Sequence, residues 1–97
     1  MSEVKVGLLG AGGINALVAE RLLEGAVPGA RVVAVAGRGA GSSSAAGLAA
    51  RLGAQAVAPE DLAAAGCELV IEAAGGAAVR AHVPGLWAAG VGTVVMS

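Results

Sequence analysis

Residues 4–15 read VKVGLLGAGGIN, a short apolar run that ends in a cluster of glycines. The run from Val4 to Leu9 lacks a strict alternation of polar and apolar residues, which is typical of a strand buried on both faces. The apolar residues after the glycines recur at helical spacing: Ile14, Leu17, Val18 and Leu22. This spacing predicts a helix from about Gly13 to Glu24 that turns those four residues toward a core.

The same pattern of strand and helix continues along the chain. Further strands are predicted at residues 31–36, 55–58, 68–73 and 92–96, and further helices after Ser42, after Pro59 and after Gly76. The last helix has an apolar stripe that includes Trp87, which we expect in the core, and Pro84 should kink this helix or delay its start. Alternating strands and helices predict an α/β fold of the Rossmann type, with a doubly wound parallel sheet in three layers and the strand order 3-2-1-4-5.

The composition restricts the classes of protein. The chain has 97 residues, of which 57% are hydrophobic and 13% are charged, and its net charge at pH 7 is -1. This length fits one domain over residues 1–97, and the small net charge gives no reason to expect nucleic acid or an acidic membrane as a partner. The mean hydropathy is +0.81, yet no stretch has the length and apolar character of a membrane span. With no recognisable secretory signal and a single cysteine, Cys67, the expected location is the cytoplasm.

The glycine cluster lies between a predicted strand and a predicted helix, which is where a G-x-G-x-x-G pattern indicates dinucleotide binding. Its candidate cofactor-binding residues are Gly10, Gly12, Gly13 and Ile14, because they offer a tight turn, open main-chain N–H groups and a positive helix end to a pyrophosphate. Asn15 occupies the third glycine position, so either the helix lies farther from the strand or the amide has a polar partner there. In the alternative interpretation, the glycines only turn a strand into a helix, as in a flavodoxin-like fold.

The end of the second strand indicates which cofactor is preferred. A carboxylate that would bind the ribose hydroxyls of NAD is missing, and the strand ends instead in Ala36-Gly37-Arg38. Arg38 can bind the 2′-phosphate of NADP, with hydroxyl groups from Ser42 or Ser43, so the sequence favours NADP over NAD. Alternatively, Arg38 is a solvated cation and the serines only cap the next helix.

Small residues follow the fourth strand. Ala73, Ala74 and Gly75 leave room for the nicotinamide half of a cofactor, so they complete the set of candidate cofactor-binding residues. Glu72 either lines this crevice or is bound by N–H groups of the next helix. His82 has no second metal-ligating residue at suitable spacing, so we expect a surface or packing role rather than a metal ligand or a general base.

Several segments carry a family resemblance, and they are residues 6–12, 69–74, 78–80, Pro84 and 95–97. They resemble the N-terminal dinucleotide-binding domain of the L-aspartate dehydrogenase family, which is related to homoserine dehydrogenase. The resemblance implies an NAD(P)-dependent oxidoreductase that deaminates L-aspartate oxidatively, with hydride transfer to the nicotinamide. It also marks departures, since Gly37 stands where many members have Asp and Gly75 stands where Ser is common.

In that family a second domain carries the substrate pocket and the catalytic histidine, and His82 does not match that position. The resemblance therefore implies that this is the cofactor-binding half, without the catalytic domain. Such a half is expected to have no catalytic residue of its own and to be unable to catalyse the reaction alone. Its expected partners are the dinucleotide, a second copy of the chain or a separate catalytic domain. A rival interpretation is a non-catalytic α/β module that oligomerises or docks on a partner through the edge of strand 5 and an exposed apolar helix surface.

Overall fold

The computed structural model describes residues 3–39 and 41–97. In this part of the chain, strands and helices alternate as β1 (Val4–Leu9), α1 (Gly13–Leu23), β2 (Ala30–Ala36), α2 (Ser43–Leu52), β3 (Gln55–Val57), a 3-10 helix (Pro59–Ala64), β4 (Leu69–Glu72), α3 (Gly76–Ala88) and β5 (Gly92–Val95). The strands form one parallel sheet in the order β3-β2-β1-β4-β5. The predicted Rossmann-type α/β class and strand order are confirmed.

Strand β1 lies at the centre of the sheet and is covered on both faces. Leu8 and Leu9 are both buried, but they belong to two separate apolar clusters. Because consecutive residues of a strand point to opposite faces, these clusters lie on the two sides of the sheet. The absence of strict alternation in the sequence therefore predicted the burial of β1 correctly.

Helix α1 begins where it was expected, but the face that it buries is different. Ile14 and Leu17 are 51% and 53% exposed, whereas Asn15 and Ala19 are buried. The physical reason is the Asn15 side chain, which donates hydrogen bonds to main-chain carbonyls at the strand ends and so turns the helix by one residue. The predicted apolar face is thus confirmed for Val18 and Leu22, which pack against the core, and was wrong for Ile14 and Leu17.

Helix α3 gives a second correction. Trp87 is 62% exposed rather than buried, and its indole N–H donates a 2.8 Å hydrogen bond to the Thr93 hydroxyl on β5. Val83 and Leu86 fill the core side of this helix, so the neighbouring indole is directed to the sheet edge, where its N–H has a partner. The helix starts at Gly76 without delay and continues through Pro84, which lies on the exposed side.

Helix α2 begins where it was predicted, and the single cysteine is buried. Helix α2 begins after Ser42, whose hydroxyl accepts a hydrogen bond from the Ala45 N–H, and it ends at Gly53 in a left-handed conformation. Cys67 is buried and its thiol contacts the carbonyl oxygen of Leu62 at 3.1 Å. Burial raises the pKa of this thiol, so Cys67 is a packing residue in its neutral form. Among the described residues, no helix has the length and apolar character needed to cross a membrane.

Candidate functional site

A cleft of about 300 Å³ opens at the carboxyl ends of β1, β2 and β4. Its lining residues come from three separate turns of the chain: Gly10, Ala11, Gly12, Gly37, Arg38, Ser42, Ser44, Ala73 and Ala74. In a doubly wound sheet the connections diverge at this edge, on either side of the central strand, and leave a crevice for a ligand. The order of the strands therefore produces the cleft.

Gly10 shapes the turn after β1 through its backbone. Its φ angle is +105°, a conformation that side chains rarely adopt. A Cβ atom at this position would also lie 3.0 Å from the main-chain atoms of Ala73 and Ala74. Glycine is thus required here by the protein itself, because the turn after β1 contacts the turn after β4 directly.

Contacts within the protein do not explain why positions 12 and 13, Gly12 and Gly13, are glycines. A Cβ atom at either position would meet nothing within 4 Å. Gly12 is also the N-cap of α1, and it makes no side-chain cap hydrogen bond. The first N–H groups of a helix lack intrahelical partners and carry partial positive charge, so this open backbone suits an anion such as a diphosphate.

The end of β2 supplies the cation and hydroxyl groups of the cleft. Arg38 is exposed on the cleft wall and, within residues 3–39 and 41–97, forms no salt bridge. The Ser42 oxygen caps α2, but its O–H proton is not used by that contact and can be donated. A Cβ atom at Gly37 would lie 2.5 Å from the Ser42 Cβ and closer still to its hydroxyl oxygen. An acidic side chain therefore has no room at position 37 while Ser42 keeps its place.

The end of β4 forms the opposite wall. Ala73 and Ala74 line the cleft with small side chains, and Glu72 is buried behind them. Its carboxylate accepts hydrogen bonds from the N–H groups of Ala74 and Gly75. Of the two roles expected for Glu72, the structure therefore shows binding by N–H groups at the start of the next helix and not the lining of the crevice. Burial by itself raises the pKa of the Glu72 carboxyl, but hydrogen bonds from the Gly75 N–H, the Ser97 side chain and the Ala74 N–H outweigh it, and the pKa lies below its ordinary value.

A second cavity of about 450 Å³ adjoins the cleft and shares Gly37, Arg38 and Ala74 with it. The rest of its lining is mostly apolar: Leu9, Pro59, Ala77, Ala78, Ala81 and His82. His82 is half-buried at this cavity. No local pattern in the sequence indicates this cavity, because it is assembled from four segments that are distant in the chain.

The cleft brings together six of the predicted cofactor-binding residues, which are Gly10, Gly12, Arg38, Ser42, Ala73 and Ala74. The other four, Gly13, Ile14, Ser43 and Gly75, lie within two positions of these residues in the sequence and are not among its lining residues. Ala11, Gly37 and Ser44 line the cleft and were not selected from the sequence. A role in cofactor binding stays a prediction for all of these residues.

Comparisons with known proteins agree with this geometry. A family model described as the NAD binding domain of homoserine dehydrogenase matches residues 10–97. No curated protein matches the chain in sequence at a significant level.

Solved structures share the fold. The GenD2 protein of gentamicin A biosynthesis, solved with NAD, is 26% identical with a TM-score of 0.83, over 98% of this chain and 27% of that one. Myo-inositol dehydrogenase from Lactobacillus casei, solved with NAD(H) and myo-inositol, is 24% identical with a TM-score of 0.83, over 96% of this chain and 28% of that one. The WlbA dehydrogenase from Chromobacterium violaceum, solved with NADH and UDP-GlcNAcA, is 18% identical with a TM-score of 0.83, over 98% of this chain and 27% of that one. The chain thus spans little more than a quarter of the length of these structures.

Proposed function

The chain belongs to the family of homoserine dehydrogenase NAD binding domains, and on that premise we propose that its cleft binds a nicotinamide dinucleotide, with NADP preferred over NAD. The observation that carries the proposal is the composition of the cleft. Open main-chain N–H groups, an uncapped helix end and Arg38 face one space, and no carboxylate is among the residues that line it. This arrangement favours an anion with several phosphate groups.

The diphosphate is expected at the turn from Gly10 to Gly13. A diphosphate needs close approach to main-chain N–H groups, which the missing Cβ atoms of Gly12 and Gly13 allow. The positive end of α1 lies at the same place, and its first turn carries no acidic residue. These residues hold the cofactor by its charge and fix its position along the cleft.

The adenosine half is expected at the end of β2 and in the second cavity. The 2′-phosphate of NADP belongs to the adenine ribose, so a phosphate on Arg38 places that ribose between the two cavities. The adenine attached to it then enters the apolar cavity that also contains Arg38 and His82. The nicotinamide half extends the other way, past Ala73 and Ala74.

We also propose that the domain serves an enzyme of the aspartate dehydrogenase type, on the resemblance of residues 69–74 and 95–97. A bound nicotinamide dinucleotide accepts or donates a hydride. Since no residue that lines the cleft is a general acid or base, we expect the 97-residue chain to bind the cofactor without oxidising L-aspartate. Formation of NADPH from NADP and L-aspartate by the purified chain would contradict that expectation. The same assay with myo-inositol in place of L-aspartate is the comparison.

Isothermal titration calorimetry with NADPH and NADH tests the binding proposal. Saturable binding of NADPH that is tighter than that of NADH supports it. Absence of saturation with both dinucleotides would overturn it, and tighter binding of NADH would overturn the stated preference alone.

Arg38→Ala tests the phosphate contact. We expect the dissociation constant for NADPH to rise about tenfold, as charge-assisted hydrogen bonds are lost, and that for NADH to change little. Arg31→Ala is the matched control, because Arg31 is an exposed arginine at the opposite end of β2, paired with Glu3. Equal weakening of NADPH and NADH by Arg38→Ala would remove the 2′-phosphate role.

A second candidate function is assembly through the edge strand β5. Val94, Val95 and Met96 are 45%, 46% and 47% exposed, and Trp87 beside them is 62% exposed. An apolar edge strand favours pairing with another chain. Light scattering after size-exclusion chromatography tests this candidate. A concentration-dependent mass without cofactor binding would favour assembly over the cofactor proposal.

A further inference from the structure

Glu72 lies at the carboxyl end of β4 as a fully buried carboxylate with a dense set of donors. Its Oε2 atom accepts hydrogen bonds from the Ala74 N–H at 2.7 Å and the Gly75 N–H at 2.8 Å. The Ser97 hydroxyl lies 2.7 Å from Oε1 and 2.8 Å from Oε2, and the Ser97 N–H lies 3.4 Å from Oε1. A buried carboxylate is costly unless it is fully hydrogen-bonded, so these contacts form a unit, which we call the Glu72–Ser97 bracket.

The bracket fixes a segment whose backbone is unusual. Gly75 has φ +123° and ψ 166°, a region that is essentially restricted to glycine and is not stabilised by regular secondary structure. The Glu72 carboxylate accepts hydrogen bonds from the consecutive N–H groups of Ala74 and Gly75, which lie on either side of the Ala74 Cα. The carboxylate therefore sets the path of the chain between β4 and α3.

That path is also a wall of the cleft. The Ala73 N–H donates to the Leu9 carbonyl at 2.9 Å, and the main chain of Ala73 and Ala74 lies so close to Gly10 that a Cβ there would be 3.0 Å away. If the segment after β4 shifted, it would therefore press against the glycine turn or move away from it. The position of this segment beside the glycine turn therefore shapes one wall of the cleft.

Ser97 reaches the bracket from the neighbouring strand. Glu72 pairs with Val95 in the sheet, and the Met96 N–H donates to the Glu72 carbonyl at 2.9 Å. This pairing holds the main chain after β5 in register and places the Ser97 hydroxyl next to the Glu72 carboxylate. The bracket connects the ends of two strands to the cleft wall.

We propose that Glu72 and Ser97 are positioning residues, which hold the Ala73–Ala74 wall in the position beside the glycine turn that a bound dinucleotide requires. This inference rests on the proposed cofactor function. Neither side chain needs to touch the cofactor, because both act through the main chain of Ala74 and Gly75.

The experiment compares cofactor affinity with stability in four variants and one control. Glu72→Ala and Ser97→Ala remove the acceptor and the hydroxyl donor, whereas Glu72→Gln and Ser97→Thr keep part of the bracket. Val32→Ala is the control, because Val32 is buried in the core at the start of β2 and pairs with Val6, away from the cleft. The dissociation constant for NADPH is measured well below every melting temperature, so that the protein is folded in each case.

We expect Glu72→Ala to raise the dissociation constant about tenfold or more, as charge-assisted hydrogen bonds are lost. Glu72→Gln and Ser97→Ala should raise the dissociation constant by a few-fold. Ser97→Thr keeps the hydroxyl and should therefore keep the wild-type value. Amide hydrogen exchange at Ala74 and Gly75 should be faster in Glu72→Ala than in the control. Val32→Ala should lower the melting temperature without changing the dissociation constant.

The possible outcomes distinguish failure of the bracket proposal from failure of the cofactor proposal. Unchanged affinity in a folded Glu72→Ala protein overturns the bracket proposal and leaves the cofactor proposal intact. Equal loss of affinity in Val32→Ala and Glu72→Ala at matched stability also overturns it, because the effect would then be one of stability alone. Absence of NADPH binding by the wild-type chain overturns the cofactor proposal itself.

Discussion

Gly10 and Gly12 are two glycines of the same turn that are glycines for different physical reasons. Gly10 has a positive φ angle and lies against the main chain of Ala73 and Ala74, whereas Gly12 faces open space. Gly10→Ala is therefore expected to lower the free energy of unfolding by about 1–3 kcal/mol from backbone strain. Gly12→Ala should lower stability less than Gly10→Ala, because only the N-cap preference of α1 changes, and it should weaken NADPH binding.

Urea denaturation and calorimetric titration of both variants check this pair. A stable Gly10→Ala protein would contradict the described turn. A Gly12→Ala protein that binds NADPH as tightly as wild type would contradict the place assigned to the diphosphate.

Gly37 and Ser42 together determine whether an acidic residue can follow β2. Gly37→Asp alone should destabilise the protein, because its Cβ would collide with the Ser42 side chain. The double variant Gly37→Asp, Ser42→Gly makes room, and glycine at an N-cap costs only a few tenths of a kcal/mol. We expect this double variant to bind NADH more tightly than NADPH, since the new carboxylate binds ribose hydroxyls and repels a 2′-phosphate. Retention of the NADPH preference in the titration would contradict the role given to Gly37.

Helix α1 is oriented by a single polar side chain. The Asn15 Nδ2 group donates to the carbonyls of Leu9, Gly10 and Ile71 at 3.1, 2.9 and 3.2 Å. Asn15→Asp replaces this buried donor with a carboxylate that faces three carbonyl oxygens. We expect the free energy of unfolding to fall by about 3 kcal/mol or more.

Urea denaturation measures this effect, and Gln55→Glu is the control, because it makes the same chemical change at an exposed position of β3. A loss of stability no larger than that of the control would show that Asn15 does not orient the helix. The Asn15 Oδ1 atom is buried without a partner, so the donor end of the amide carries the interaction.

The helices also show what spacing can and cannot predict. Ala45, Leu48 and Ala49 of α2 recur at helical spacing and are buried together, because no polar side chain competes for that face. In α1 the spacing of Ile14 and Leu17 gave the wrong face, because the polar partners of Asn15 come from β1 and β4 and cannot be read from the helix sequence. Trp87 was misplaced for a similar reason, since its partner Thr93 lies on another element.

The strand order and the position of the cleft were predictable from the chain as a whole, because right-handed crossovers and the glycine turn after β1 restrict the topology. The second cavity and the Glu72–Ser97 bracket were not. Both depend on contacts between segments distant in sequence, and neither has a local pattern that would indicate it.

Acid stability is a property of the folded chain that follows from the bracket. The pKa of the Glu72 carboxyl is lowered from 4.5 in the folded protein, so its ionised form is favoured by folding. This contribution to stability is fully present above pH 4.5 and is lost as the pH falls through the lower folded value. The difference in unfolding free energy between wild type and Glu72→Gln should therefore shrink below pH 4.5.

Urea denaturation of both proteins from pH 7 to pH 3 measures that difference. The two proteins differ only at residue 72, so contributions from the rest of the chain cancel in this difference. A difference that is constant or that grows toward low pH would contradict the described environment of Glu72.

The central claim is that the main chain at the start of α1 binds the diphosphate of a nicotinamide dinucleotide. The most direct measurement is an NMR titration of the chain with NADPH that follows the amide N–H signals. Saturable shifts are expected at Gly12, Gly13, Ile14 and Arg38. Signals that stay unchanged there, or shifts confined to another surface such as the edge of β5, would contradict it.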